Sequence, residues 1–116
     1  MENEQLELWK NLNEDNSLKE IQEYIRKVIK IRGFANESVE QKMQMLIEEV
    51  GEVAKAIRKD KAKMGIDKNK ISNYDSIESE IADVFIVLVS MCNVLDIDLF
   101  TVVKEKEKAN IERQWK

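Results

Sequence analysis

Across 116 residues the chain has no proline and only three glycines. A β-sandwich or barrel needs a turn every ~8–12 residues, and turns are made largely from those two residue types. Long helices remain. The length fits one domain, 1–116, in which 1–16 forms either a flexible or a short helical lead-in. A chain this small buries only about two-thirds of its unfolded surface, so one copy has a modest core. There is no histidine and one cysteine, Cys92. That excludes a disulfide framework, a cysteine-rich zinc site and a Ser–His–Asp or Cys–His nucleophile. Catalysis, if present, rests on carboxylates, lysines, arginines or a hard metal ion.

The net charge of −4 does not suit a binder of duplex nucleic acid. The start, MENEQLELWK, lacks the positive end and apolar run of a signal peptide. The longest uncharged run, Val84 to Leu95, has twelve residues. A membrane span needs about 20, so the run predicts a buried core helix and no membrane contact. With a lone thiol, these features predict a cytoplasmic protein.

Four helices are expected after the lead-in. Ser17-Leu18-Lys19-Glu20 is a capping box, and the helix it opens carries Leu18, Ile21, Ile25 and Val28 at helical spacing. Gly33 suits a left-handed position just past its end. Ser38-Val39-Glu40-Gln41 is a second capping box. It opens a helix to about Lys61, with Met43, Leu46, Ile47, Val50, Val53, Ala54 and Ile57 on one face. Periodicity fails around Met64 to Tyr74, which predicts a loop. Asp75 or Ser76 caps a third helix to about Leu95, and Asp98 caps a fourth to about Arg113.

Two segments could carry chemistry: Glu48-Glu49-Val50-Gly51-Glu52 and Glu80-Ile81-Ala82-Asp83. At about 100° per residue, Glu48, Glu52 and Glu49 fall within one sector roughly 100° wide. Met45 and Ala56 share that sector, so the acids interrupt a partly apolar stripe. Glu80 and Asp83, three apart, begin a line that continues through Val84, Val87, Met91 and Val94 into the apolar helix. Carboxylates so placed are costly unless cations, protons or metal ions compensate them. Mg²⁺ takes oxygen ligands and binds through a few carboxylates plus phosphates. The lack of histidine favours Mg²⁺ or Mn²⁺ over Zn²⁺ or a di-iron pair. The competing reading is a solvated acidic face.

Two basic features could serve a polyanion. Lys106, Asn110 and Arg113 stand at i, i+4 and i+7 on the last helix, where a lysine and an arginine can hold phosphate. From Lys55 to Lys70, seven basic residues face Asp60 and Asp67. This is either a solvated helix end and loop or an electropositive rim.

EEVGE, then 27 residues, then EIAD, then KEKANIERQW resembles the MazG-like branch of the all-α nucleoside triphosphate pyrophosphohydrolases, relatives of dCTP pyrophosphatases and dimeric dUTPases. The resemblance runs from about Leu18 to Trp115 and includes Arg32-Gly33-Phe34. It implies a four-helix-bundle-like fold that oligomerises through its helices, as a homodimer or homotetramer. It implies Mg²⁺-dependent cleavage of a nucleoside triphosphate between the α and β phosphates. By position, Glu49, Glu52, Glu80 and Asp83 look like the metal ligands. Glu48 matches a first glutamate that orients or deprotonates water. Lys106, Asn110 and Arg113 look like phosphate- and sugar-contacting positions. The lysine-rich loop is long for the family, which leaves base choice open. Trp9, Tyr24, Phe34 and Trp115 are candidates to stack on a base. The rival readings are a helical interaction module with an acidic face and a phosphoribosyl-ATP type of pyrophosphohydrolase.

Overall fold

In the computed structural model, which describes residues 2–62 and 76–113, five helices and no strand occur among the described residues. They are α1 (Glu2–Lys10), α2 (Leu18–Ile31), α3 (Val39–Ala62), α4 (Ile77–Val94) and α5 (Leu99–Glu112). The lead-in is thus a real helix, tied down where Arg32 Nε donates to Gln5 Oε1 at 2.6 Å. Residues 63–75, including the expected loop and Asp75, lie outside the described residues, as does Trp115.

The helix ends follow local chemistry. Ser17 and Glu20 close the capping box of α2. Ser38 and Gln41 do the same for α3. Ser76 caps α4 and Asp98 caps α5. The Thr101 hydroxyl holds the Asp98 carboxyl below the usual carboxylate range. This cap therefore stays intact down through that range and is lost only as the pH falls further, through the lowered value of the folded carboxyl. Past α2, Gly33 adopts φ +86°, its N–H donates to the Lys30 carbonyl, and Phe34 N–H reaches back to the Ile29 carbonyl. This paired C-terminal motif needs a left-handed residue, and glycine takes it without a Cβ clash.

α4 is the central element, antiparallel to α3 on one side and covered by α2 on the other. The buried apolar side chains are few: Ile25, Val28, Ala56, Val89 and Cys92. A polar network joins α2 to the turn after α4. Buried Gln22 donates through Nε2 to Asn93 Oδ1 (2.9 Å) and the Ile97 carbonyl (2.7 Å), and its Oε1 accepts from Leu99 N–H (3.0 Å). These bonds hold the turn from which α5 leaves α4 at a bend of 99°. Gln22→Leu takes the side-chain partner from the Ile97 carbonyl and the Leu99 N–H, while Asn93 Oδ1 keeps Arg26, and is expected to cost about 1–3 kcal/mol, read by chemical denaturation. An unchanged midpoint would remove the network from the account of the bend.

α3 differs from the simplest amphipathic expectation. The side facing α4 carries Lys42, Met45, Glu49 and Ala56, buried or half-buried. Leu46 and Val53 are half-buried, but Met43, Ile47, Val50 and Ile57 are exposed. With Ala54 these exposed residues are spaced 4, 3, 4 and 3 apart, the spacing of a helix-pairing seam. On α4, Ile81 and Phe85 are exposed too.

Candidate metal centre

The two acidic motifs meet where α3 crosses the first turns of α4. One carboxylate oxygen each from Glu49, Glu80 and Asp83 can lie within 4.8 Å of one another. Capping by Ser76 starts α4 in a register that turns Glu80 inward, where it is 4% exposed. Asp83, one turn later, is half-buried on the same line. Glu49 reaches the pair because the carboxylate side of α3 packs on α4. Three like charges brought together with one nearly dry are costly without compensation. The donor set is all hard oxygen, the set Mg²⁺ or Mn²⁺ prefers, so the residues fit such an ion.

Glu48 and Glu52 are exposed on α3, and Glu52 stands one turn from Glu49. Neither contributes to the three-carboxylate group. Both are exposed to solvent.

The cationic face of α5 is elsewhere. Lys106 and Arg113 are exposed, and Asn110 is half-buried, with its Nδ2 donating to Glu107 Oε2 at 2.8 Å. α5 packs on α2 and begins past the C-terminus of α4. Eleven residues separate Asp83 from the end of α4, roughly 16 Å of helix, and the bend then carries α5 aside. Within one copy the structure does not bring Lys106, Asn110 and Arg113 to the carboxylates.

Of the aromatic candidates, Trp9 is exposed on α1. Tyr24 lines a groove between α1 and α2. Phe34 lines a cavity with Arg26, Lys42 and Asn93. Lys55 and Arg58 are exposed at the end of α3, and the rest of the basic stretch from 61 has no described side chain.

Sequence reasoning missed Lys42. It is 2% exposed, and its ammonium donates to Glu37 Oε1 at 2.8 Å. The signal was its place on the wheel, four residues before Leu46 but on the Met45–Glu49 side, where a lysine reads as surface. Among the described residues no helix is long and apolar enough by itself to cross a membrane.

The family model for the MazG nucleotide pyrophosphohydrolase domain matches residues 37–114, about two-thirds of the chain and all eight of the charged or polar positions singled out above. No curated protein and no solved structure matches the chain.

Proposed function

The chain belongs to the MazG nucleotide pyrophosphohydrolase family, and from that premise we propose a Mg²⁺-dependent enzyme that cleaves a nucleoside triphosphate between its α and β phosphates. The products are a nucleoside monophosphate and pyrophosphate, and the role is removal of a canonical or damaged nucleotide from the pool. The observation that carries this reading is the convergence of Glu49, Glu80 and Asp83 at the crossing of α3 and α4.

Glu49, Glu52, Glu80 and Asp83 would hold the ion, with Mn²⁺ as a substitute. When bound, it neutralises phosphate charge, polarises the phosphorus and acidifies water. The chain's own contribution is position. Glu80 and Asp83 are fixed on the central helix, and Glu49 is fixed by packing. Glu52, exposed one turn after Glu49 on α3, would complete the set when substrate arrives. Glu48 orients the attacking water or takes its proton. The buried free thiol Cys92, its pKa pushed up by burial, is unreactive, which fits a cytoplasmic enzyme.

The working unit is a homodimer or a homotetramer. Its support is the exposed apolar seam on α3. We assign Lys106, Asn110 and Arg113 to the phosphates and sugar held by a second copy, since α5 points away from its own carboxylates.

The test is a panel of common NTPs and dNTPs with and without Mg²⁺. Equimolar monophosphate and pyrophosphate, released only with metal, is the expected result. Release of orthophosphate would overturn α–β cleavage. Silence across the panel, repeated with oxidised and methylated nucleotides, would leave an acidic binding surface.

A further inference from the structure

We propose that Glu37 and Lys42 are positioning residues for the carboxylate cluster: their ion pair staples the first turns of α3 and sets the rotation that turns Glu49 toward Glu80 and Asp83. The proposal deepens the metal reading of that cluster and rests on it.

The pair stands at a defined place in the helix start. Ser38 is the N-cap of α3, as its reciprocal bonds with Gln41 show. Glu37 is therefore the residue before the cap, and Lys42 is the fourth residue of the helix. Apolar side chains at those two positions often pack together and fix the angle at which the chain enters the helix. Here a carboxylate and an ammonium occupy them, 2.8 Å apart. The Lys42 side chain is 2% exposed and that of Glu37 25%. Ile29 on α2 and Ile86 and Val87 on α4 line the hollow that both residues also line. An ion pair so enclosed stabilises little against apolar side chains of the same size, and its best-attested use is to fix register.

Glu37 is in turn held to α2. Phe34 N–H donates to the Ile29 carbonyl at 3.0 Å, and Glu37 N–H to the Phe34 carbonyl at 3.5 Å. The staple thus ties the rotation of α3 to α2, which packs on α4.

Rotation couples the pair to the site. At about 100° per residue, Lys42 and Glu49 fall within roughly 20° of each other, on the side that holds Met45 and Ala56. The exposed Met43–Ile57 stripe is centred about 130° away. Within one chain, turning that stripe inward would remove more apolar surface from water. It would also carry Lys42 out of the hollow and Glu49 away from α4. Because the two side chains share one side of α3, whatever holds Lys42 inward holds Glu49 inward.

Charge alone predicts the opposite effect. Lys42 lies about 10 Å of helix rise from Glu49, and a cation there opposes a bound Mg²⁺. Removing it would tighten metal binding through Coulomb's law and weaken it through lost position.

The test is calorimetric titration of the full-length protein with Mn²⁺ in the absence of nucleotide, so that no contact between Lys42 and substrate enters the readout. Lys42→Met keeps an unbranched stem and removes the ammonium. It should bind Mn²⁺ about 10–100-fold more weakly, the scale for losing a group that supports a metal ligand. Glu37→Gln changes the more exposed end of the pair. It should weaken binding in the same direction, and it keeps the test decisive if Lys42→Met fails to fold. Glu37→Leu combined with Lys42→Met places an apolar staple at both positions and should restore affinity to within about threefold of wild type. Val28→Ala, in the core of α2, is the control: it should lower the thermal midpoint and leave Mn²⁺ affinity within about threefold.

Unchanged or tighter binding in the single variants would overturn the proposal. So would an equal loss in Val28→Ala, or a double variant that fails to recover. Unchanged Mn²⁺ binding in the single variants of a protein that hydrolyses nucleotides would sink this inference and keep the enzyme reading. The expected Mn²⁺ series in a protein that hydrolyses no nucleotide would keep the staple and sink the enzyme reading. A wild-type protein that binds no Mn²⁺ would defeat both.

Discussion

A Glu49→Gln or Asp83→Asn protein is expected to lose metal-dependent nucleotide hydrolysis by about 10²–10³-fold, the scale for removing one preorganised group that handles transition-state charge. The fold should survive. Each change is nearly isosteric and removes one of three like charges gathered within 4.8 Å. In metal-free buffer the thermal midpoint should therefore stay level or rise. Mg²⁺ should raise the midpoint of the wild-type protein, by about 2.7 kcal/mol of stabilisation at 100 times its Kd. It should do much less for either variant. Activity within tenfold of wild type would remove the residue from the site. Loss of activity together with loss of helix content would show a structural role instead.

Ile47→Lys should convert the protein from a dimer or larger assembly to a monomer of 13.6 kDa, measured by light scattering on a sizing column. Ile47 is 61% exposed at the middle of the α3 seam. Burying an aliphatic side chain contributes about 1.5–3 kcal/mol. A twofold interface uses each residue twice, so one substitution should weaken association by about 10²–10⁴-fold. Catalysis should fall with it, because the phosphate-binding face of α5 is assigned to the neighbouring copy. Lys106→Ala would share the catalytic loss without the change in mass. A monomeric wild-type protein, or a dimeric Ile47→Lys variant with full activity, would defeat this account.

Much of the architecture is written in local signals. The serines and the aspartate at 17, 38, 76 and 98 start their helices because each supplies an oxygen to an orphan N–H. Gly33 ends α2 because the backbone there must turn left-handed. The spacing of Glu80 and Asp83 along the apolar line of α4 already predicts a carboxylate pair at a core edge. The α1 helix was less legible. Nine residues with few apolar positions become a helix because α2 gives them something to pack on.

The choice of face on α3 could not be read from the helix alone. The Met43–Ile57 stripe is the more apolar one, yet the side with Lys42, Met45, Glu49 and Ala56 is turned toward α4. A helix with two usable faces has two docking solutions, and periodicity ranks them by hydrophobicity within one chain. That ranking is blind to a second copy, which can cover the greasier stripe. Sequence by itself therefore determined the helices, their ends, the two acidic motifs and the absence of histidine chemistry, because each depends on neighbours within a few residues. Tertiary structure alone decided that Glu49 meets Glu80 and Asp83, that Lys42 is buried beside a cavity, and that α5 swings away from its own carboxylates. Those outcomes depend on which faces pack and on the Gln22 bonds that hold the bend, contacts between residues up to 77 positions apart.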